Sequence, residues 1–137
     1  MAASAVAGRG PWRREIEMKI AVTSQGTDLD AAVDPRFGRA RFFLVVDTDS
    51  GEAEVVDNAT NLNAAQGAGI QAARQVAELG VSAVLTGHVG PKAFATLRAA
   101  GVPVHTGAQG TVREAVAAFK AGTLARAADA TVEGHWA

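Results

Sequence analysis

The chain has 137 residues, 13 basic against 14 acidic, and no cysteine. That length suits one domain with a sizeable core, and the balanced charge offers no general surface for nucleic acid or an anionic membrane. Without cysteine there are no disulfides and no thiolate metal sites, so any ligand must be held by His, Asp, Glu, cationic side chains or main-chain groups.

Residues 1–17 are rich in Ala, Gly, Ser and Arg and carry no sustained period, so they read as a disordered extension. Met18, directly before the first convincing strand, is a candidate translation start. Arg13-Arg14 is followed by Glu15, Glu17 and Lys19, not by a signal-type apolar stretch, and no run approaches the roughly 18 apolar residues of a membrane-spanning helix. The expected location is the cytoplasm.

Lys19 to Ser24 reads as the first strand, followed by a Gly- and Asp-bearing loop through Pro35. After Asp34-Pro35-Arg36-Phe37-Gly38-Arg39 comes an apolar second strand, Phe42 to Asp47. Ser50-Gly51 turns the chain into a third strand, Glu52 to Asp57, whose Glu52 and Glu54 alternate with inward Ala53 and Val55 as in a half-buried edge. A polar loop from Asn58 leads to a helix over Gly67 to Leu79, with Ile70, Ala73 and Val76 on its inward stripe and Gly80 closing it. Val81 to Leu85 is a fourth strand buried on both faces, and Pro91 suits the first position of the helix that follows. Val102 to His105 is the fifth strand. Thr111 and Glu114 form a capping box at the start of a last helix that runs to about Ala121. The domain is thus expected over residues 18–122, with 123–137 a tail over the surface.

This order predicts an α/β fold with a five-stranded mixed sheet, strand two antiparallel, flanked by helices. The carboxyl ends of strands one, three, four and five then share one rim with the beginning of strand two. Open α/β sheets bind ligands at such a rim. Gly67-Ala68-Gly69, Gly87-His88-Val89-Gly90 and Gly107-Ala108-Gln109-Gly110 are turns feeding helix N-termini there, where free N–H groups and the helix dipole suit an anion. Arg36 and Arg39 add positive charge. Lys92 places a cation in a first helical turn, against the dipole, at a cost that an anion would offset.

Each feature also has a plainer explanation. Turn glycines commonly serve backbone geometry alone, and Arg36 and Arg39 could pair with Asp34 and Asp47 on the surface. His88, between two turn glycines, is a candidate ligand or anion contact, and His105 at the end of strand five stands near the same rim.

Three stretches carry a resemblance: Asp34-Pro35-Arg36-Phe37-Gly38-Arg39-Ala40, Gly87-His88-Val89-Gly90-Pro91-Lys92-Ala93, and Gly110-Thr111-Val112-Arg113-Glu114-Ala115-Val116. In order and spacing they resemble the signatures of the dinitrogenase iron-molybdenum cofactor biosynthesis domain family, over about Met18 to Gly122. The chain is similar to stand-alone, orange-protein-like members, since the helical and radical-enzyme domains of some nitrogenase-linked relatives are not seen in it. The resemblance implies a ribonuclease H-like fold. It also implies non-covalent binding of an anionic metal–sulfur cluster, either a Mo–Cu sulfide or an iron-molybdenum cofactor precursor. Delivery and acceptor proteins would be the partners, with no nucleic acid, no membrane and no enzymatic activity. The cluster would be held by Arg36, Gly38, Arg39, Gly67, Gly69, Gly87, Gly90, Lys92, Gly107 and Gly110, with His88 as metal ligand.

A two-metal nuclease would need carboxylates on its central strands holding ions about 4 Å apart. The first and fourth strands carry none. Ser24 with His88 could be imagined as a hydrolytic pair, but nothing marks it. A nucleotide- or phosphate-binding regulatory module would use the same turns, although no P-loop with its lysine is present. A protein-interaction module is the third alternative.

Overall fold

The computed structural model describes residues 18–58 and 68–127, and the numbers of elements below refer to these. They form strands β1 (Lys19–Ser24), β2 (Phe42–Asp47), β3 (Ala53–Asp57), β4 (Ala83–Leu85), β5 (Val104–Thr106) and β6 (Ala125–Arg126). Three helices accompany them: α1 (Ala68–Glu78), α2 (Pro91–Ala99) and α3 (Val112–Lys120). The expected extension at residues 1–17, Gly67 and the far end of the tail lie outside the described residues.

The sheet order is β3-β2-β1-β4-β5-β6. β1 pairs antiparallel with β2, from Lys19 opposite Asp47 to Ser24 opposite Phe42, and parallel with β4. β2 pairs antiparallel with β3, and β4 parallel with β5. Strands β1, β3, β4 and β5 therefore run one way, as the connections require, and their carboxyl ends share one edge. The expectation of five strands needs correction. Ala125 and Arg126, expected to trail over the surface, add a sixth strand antiparallel to β5. Two residues are too few to show a period, so pairing with β5 and not local pattern makes this strand.

Alternation along the strands sends side chains to two cores. Ala21, Phe43, Val45, Val84 and Val104 meet α1 and α2 through Ala73, Val76, Phe94 and Leu97. Ile20, Val22, Leu44, Val46 and Leu85 meet α3 through Val112 and Ala115, with Phe119 packed beside them. Because the second face has a single helix, which packs on β1 and β4, the β3 edge lies beyond its cover. The inward reading of Ala53 and Val55 fails for this reason. Val56 packs against the α1/α2 core instead, and Val55 is 42% exposed. No helix among the described residues is long and apolar enough to cross a membrane.

Candidate functional site

The carboxyl edge of the sheet is laced by loop-to-loop hydrogen bonds. The His88 amide donates to the Pro35 carbonyl at 2.7 Å, and the Phe37 amide donates to the His88 carbonyl at 3.2 Å, making Arg36 and His88 partners in a short parallel bridge. Gly107 N–H donates to the Gly87 carbonyl at 3.1 Å. Further along, the Val33 amide donates to the Gly110 carbonyl, and Ala32 bridges Thr111. The loop after β1 and the turns before α2 and α3 thus share one rim.

Gly87 is required by this crossing. A Cβ there would stand 2.8 Å from both the Cα and the carbonyl oxygen of Pro35, closer than real contacts allow. Beneath the crossing, buried Thr23 and Thr86 at the ends of β1 and β4 lie 3.0 Å apart through their hydroxyls, and Thr23 donates to the Asp34 carbonyl at 2.7 Å. Asn58, fully buried at the end of β3, donates from Nδ2 to the Ala40 carbonyl at 2.7 Å. These three supports were missed from sequence. Their signal was polar residues terminating apolar strands, which must be satisfied once buried.

The two helix N-termini described in full at this rim differ. At α3 the Thr111 amide donates to Glu114 Oε1 at 2.9 Å and the Glu114 amide donates to Thr111 Oγ1 at 3.1 Å. That capping box closes the end and puts a carboxylate there. Gly110 (φ 79°) packs against the same carboxylate, in a backbone conformation that disfavours other residues. The Gly110 turn is therefore filled by the chain's own anion, the plain geometric explanation. At α2 the N-cap is Gly90, with no side-chain cap, Pro91 next to it and no acidic residue in the first turn. That end keeps its partial positive charge, and exposed Lys92 adds to it.

Of the expected residues, Arg36, Gly87, His88 and Gly90 lie together at the mouth of α2, with Gly107 tied on through Gly87. Gly38 is buried in a single 3-10 turn, Phe37–Arg39, which packs against α1 and ends in half-buried Arg39. Gly69 is buried in the first turn of α1, which follows β3 from the same edge. Gly110 stands on the α3 flank. His105 is engaged away from the rim, its ring edge-on to Phe119 at 5.0 Å and its Nδ1 3.4 Å from the Leu124 carbonyl oxygen.

The expected arginine–aspartate pairings do not form in the way the sequence suggested. Asp47 sits at the opposite end of β2, accepting turn amides from Asp49 and Ser50. Asp34 accepts the Arg36 backbone amide at 3.0 Å. Neither Arg36 nor Lys92 has an ion-pair partner among the described residues. Asp34 itself is 6% exposed, and burial raises its pKa above the ordinary carboxylate value, against the pull of the Arg36 amide and charge. A carboxyl that resists ionisation opposes a neighbouring anion less than an exposed one would. Among the described residues no cluster of three or more His, Asp or Glu is placed to hold a bare metal ion. The donor set is cationic and main-chain, which suits an anion carrying its own ligands.

The chain is similar to the apo form of the orange protein from Desulfovibrio gigas, with 47% identity and a TM-score of 0.82 over 85% of this chain and 98% of that one. A NifB-like protein of the DUF35 family from Thermotoga matches with 40% identity and a TM-score of 0.73, over 85% and 99% of the two chains. An uncharacterized protein of Methanocaldococcus jannaschii is 31% identical over 110 residues, 78% of this chain and 89% of its own. The model of the dinitrogenase iron-molybdenum cofactor family matches residues 18–122. With the laced rim and the three signature stretches in place, the chain belongs to the dinitrogenase iron-molybdenum cofactor family, among its orange-protein-like members.

Proposed function

We propose that this protein is a non-covalent carrier or scaffold for an anionic metal–sulfur cluster, of the Mo–Cu sulfide or iron-molybdenum precursor type, taken up from and passed to other proteins. The observation that carries the reading is the bridge pairing Arg36 with His88 at the uncapped N-terminus of α2. A preassembled cluster brings its own sulfides and needs no thiolates from the chain. It needs donors and positive charge, which Arg36, Lys92 and the first-turn amides of α2 supply, while the His88 imidazole can ligate a metal at the cluster's edge. Gly87 and Gly90 keep side chains out of that mouth. Arg39, Gly38, Gly69 and Gly107 complete its walls, whereas Gly110 serves the α3 cap.

The same reading classes the β3-β2-β1-β4-β5 arrangement as ribonuclease H-like, with its catalytic use given up. β1 and β4 carry no carboxylate to hold paired ions. The role is binding and delivery, not turnover, in the cytoplasm.

The test is reconstitution of the purified chain with tetrathiomolybdate and copper(I), followed by gel filtration and metal analysis. A charge-transfer colour should travel with the protein in stoichiometric amount. The double variant Arg36→Ala, His88→Ala should lose retention by at least about a hundredfold, because two charge-assisted or coordinate contacts are removed, with its circular dichroism unchanged. Equal retention by the variant would sink this site. A colourless protein whose melting temperature rises with nucleotides or phosphate would favour the phosphate-binding alternative.

A further inference from the structure

A cavity lies at the end of the sheet opposite the carboxyl rim, where β5 begins. Its volume is about 300 Å³, at the small end of the range for organic ligands. Phe94, Val102 and Val104 form its floor, all part of the buried α1/α2 core. Its lip carries Arg98, from the last turn of α2, and Arg126, from β6, while Ala127 closes one side. Among the described residues, none that lines it is acidic. Neither arginine has an ion-pair partner among the described residues, and both are exposed. Arg98 gains something from the dipole at the end of α2. Arg126 has no such reason to stand there, since β6 is an edge strand of two residues.

From this polarity, an apolar floor under two guanidinium groups, we infer that the cavity binds a small organic carboxylate with an apolar body. The carboxylate lies between Arg98 and Arg126, which present planar donor forks matched to its two oxygens. The hydrocarbon part covers Phe94, Val102 and Val104. The site is separate from the rim at the mouth of α2, so it does not depend on the cluster reading.

The test is a titration of the isotopically labelled full chain with 3-phenylpropionate, followed by backbone amide NMR. Gly101, Val102, Val104, Arg126 and Ala127 should shift saturably, with Gly87 to Lys92 unmoved. The neutral analogue 3-phenylpropanamide and the body-less anion acetate should each bind at least about tenfold more weakly. Arg98→Gln and Arg126→Gln should each weaken 3-phenylpropionate binding by about tenfold or more, the usual effect of losing one charge-assisted contact. No saturable shift up to about 10 mM, where even millimolar affinity would show, overturns the proposal. Equal binding of acetate does so too, because the apolar floor would then contribute nothing. Binding that appears only in a Trp136→Ala variant would assign the cavity to the chain's own carboxyl-terminal residues, and likewise overturns it.

Discussion

Arg36 and His88 are bridge partners, although one lies in the loop after β1 and the other in the turn before α2. The backbone on either side of Arg36 holds the backbone of His88, through Pro35 and Phe37, so the two side chains leave from neighbouring points of a fixed frame. The frame is made of main-chain bonds anchored beside buried Phe37, Gly87 and Val89, while Arg36 and His88 are themselves exposed. Changing either side chain should therefore alter binding without unfolding the protein.

Gly87→Ala should do the reverse. The new methyl would meet Pro35 backbone, which cannot rotate away. A loss of about 1–3 kcal/mol in urea unfolding is expected, the usual range for forced overpacking. Cluster retention should fall with it, because the Arg36–His88 pairing depends on the same approach.

Lys92→Glu separates stability from binding by sign. A carboxylate in the first turn of α2 is favoured by the helix dipole, so thermal stability should hold or rise by a few tenths of a kcal/mol. Retention of the cluster should nevertheless drop about tenfold or more, since a cation at the mouth has become an anion. Unchanged retention would mean that the ligand sits elsewhere.

Thr111→Ala removes one half of the α3 capping box. It should cost about 1 kcal/mol in stability, read by denaturant titration, and leave cluster retention as in the parent. Loss of retention without loss of stability would return the Gly110 turn to the binding site.

Asp34 gives a pH signature. Burial holds its pKa above the ordinary carboxylate value, so the folded chain keeps this proton over an interval in which the unfolded chain has lost it. Stability contributed by this group is complete below the ordinary value and is lost as pH rises through the folded one. Asp34→Asn removes that loss, and its amide oxygen can still accept the Arg36 N–H. The variant should melt higher than the parent at pH 7 and equal to it at about pH 3, below the ordinary carboxylate range. A variant that melts lower at pH 7 would show that the ionised carboxylate stabilises this loop.

Much of this was legible in the amino-acid order because it is local physics. Ile20-Ala21-Val22 and Val84-Leu85 are short apolar runs that must be buried strands. Thr111 with Glu114 is a cap that three residues of spacing specify, and the strand directions follow from which connections contain helices. The three signature stretches carried the family for the same reason, being contiguous. What the order of residues could not decide was anything set by a neighbour distant along the chain. Only the fold shows that α3 fails to cover β3, leaving Val55 open, and that two residues after α3 pair with β5 as a sixth strand. Only the fold distinguishes the three glycine turns, since Glu114 fills one and Pro35 crosses another. Helix caps and apolar runs are written in adjacent residues, whereas a rim is made where loops meet, and its charge depends on which side chains already have partners there.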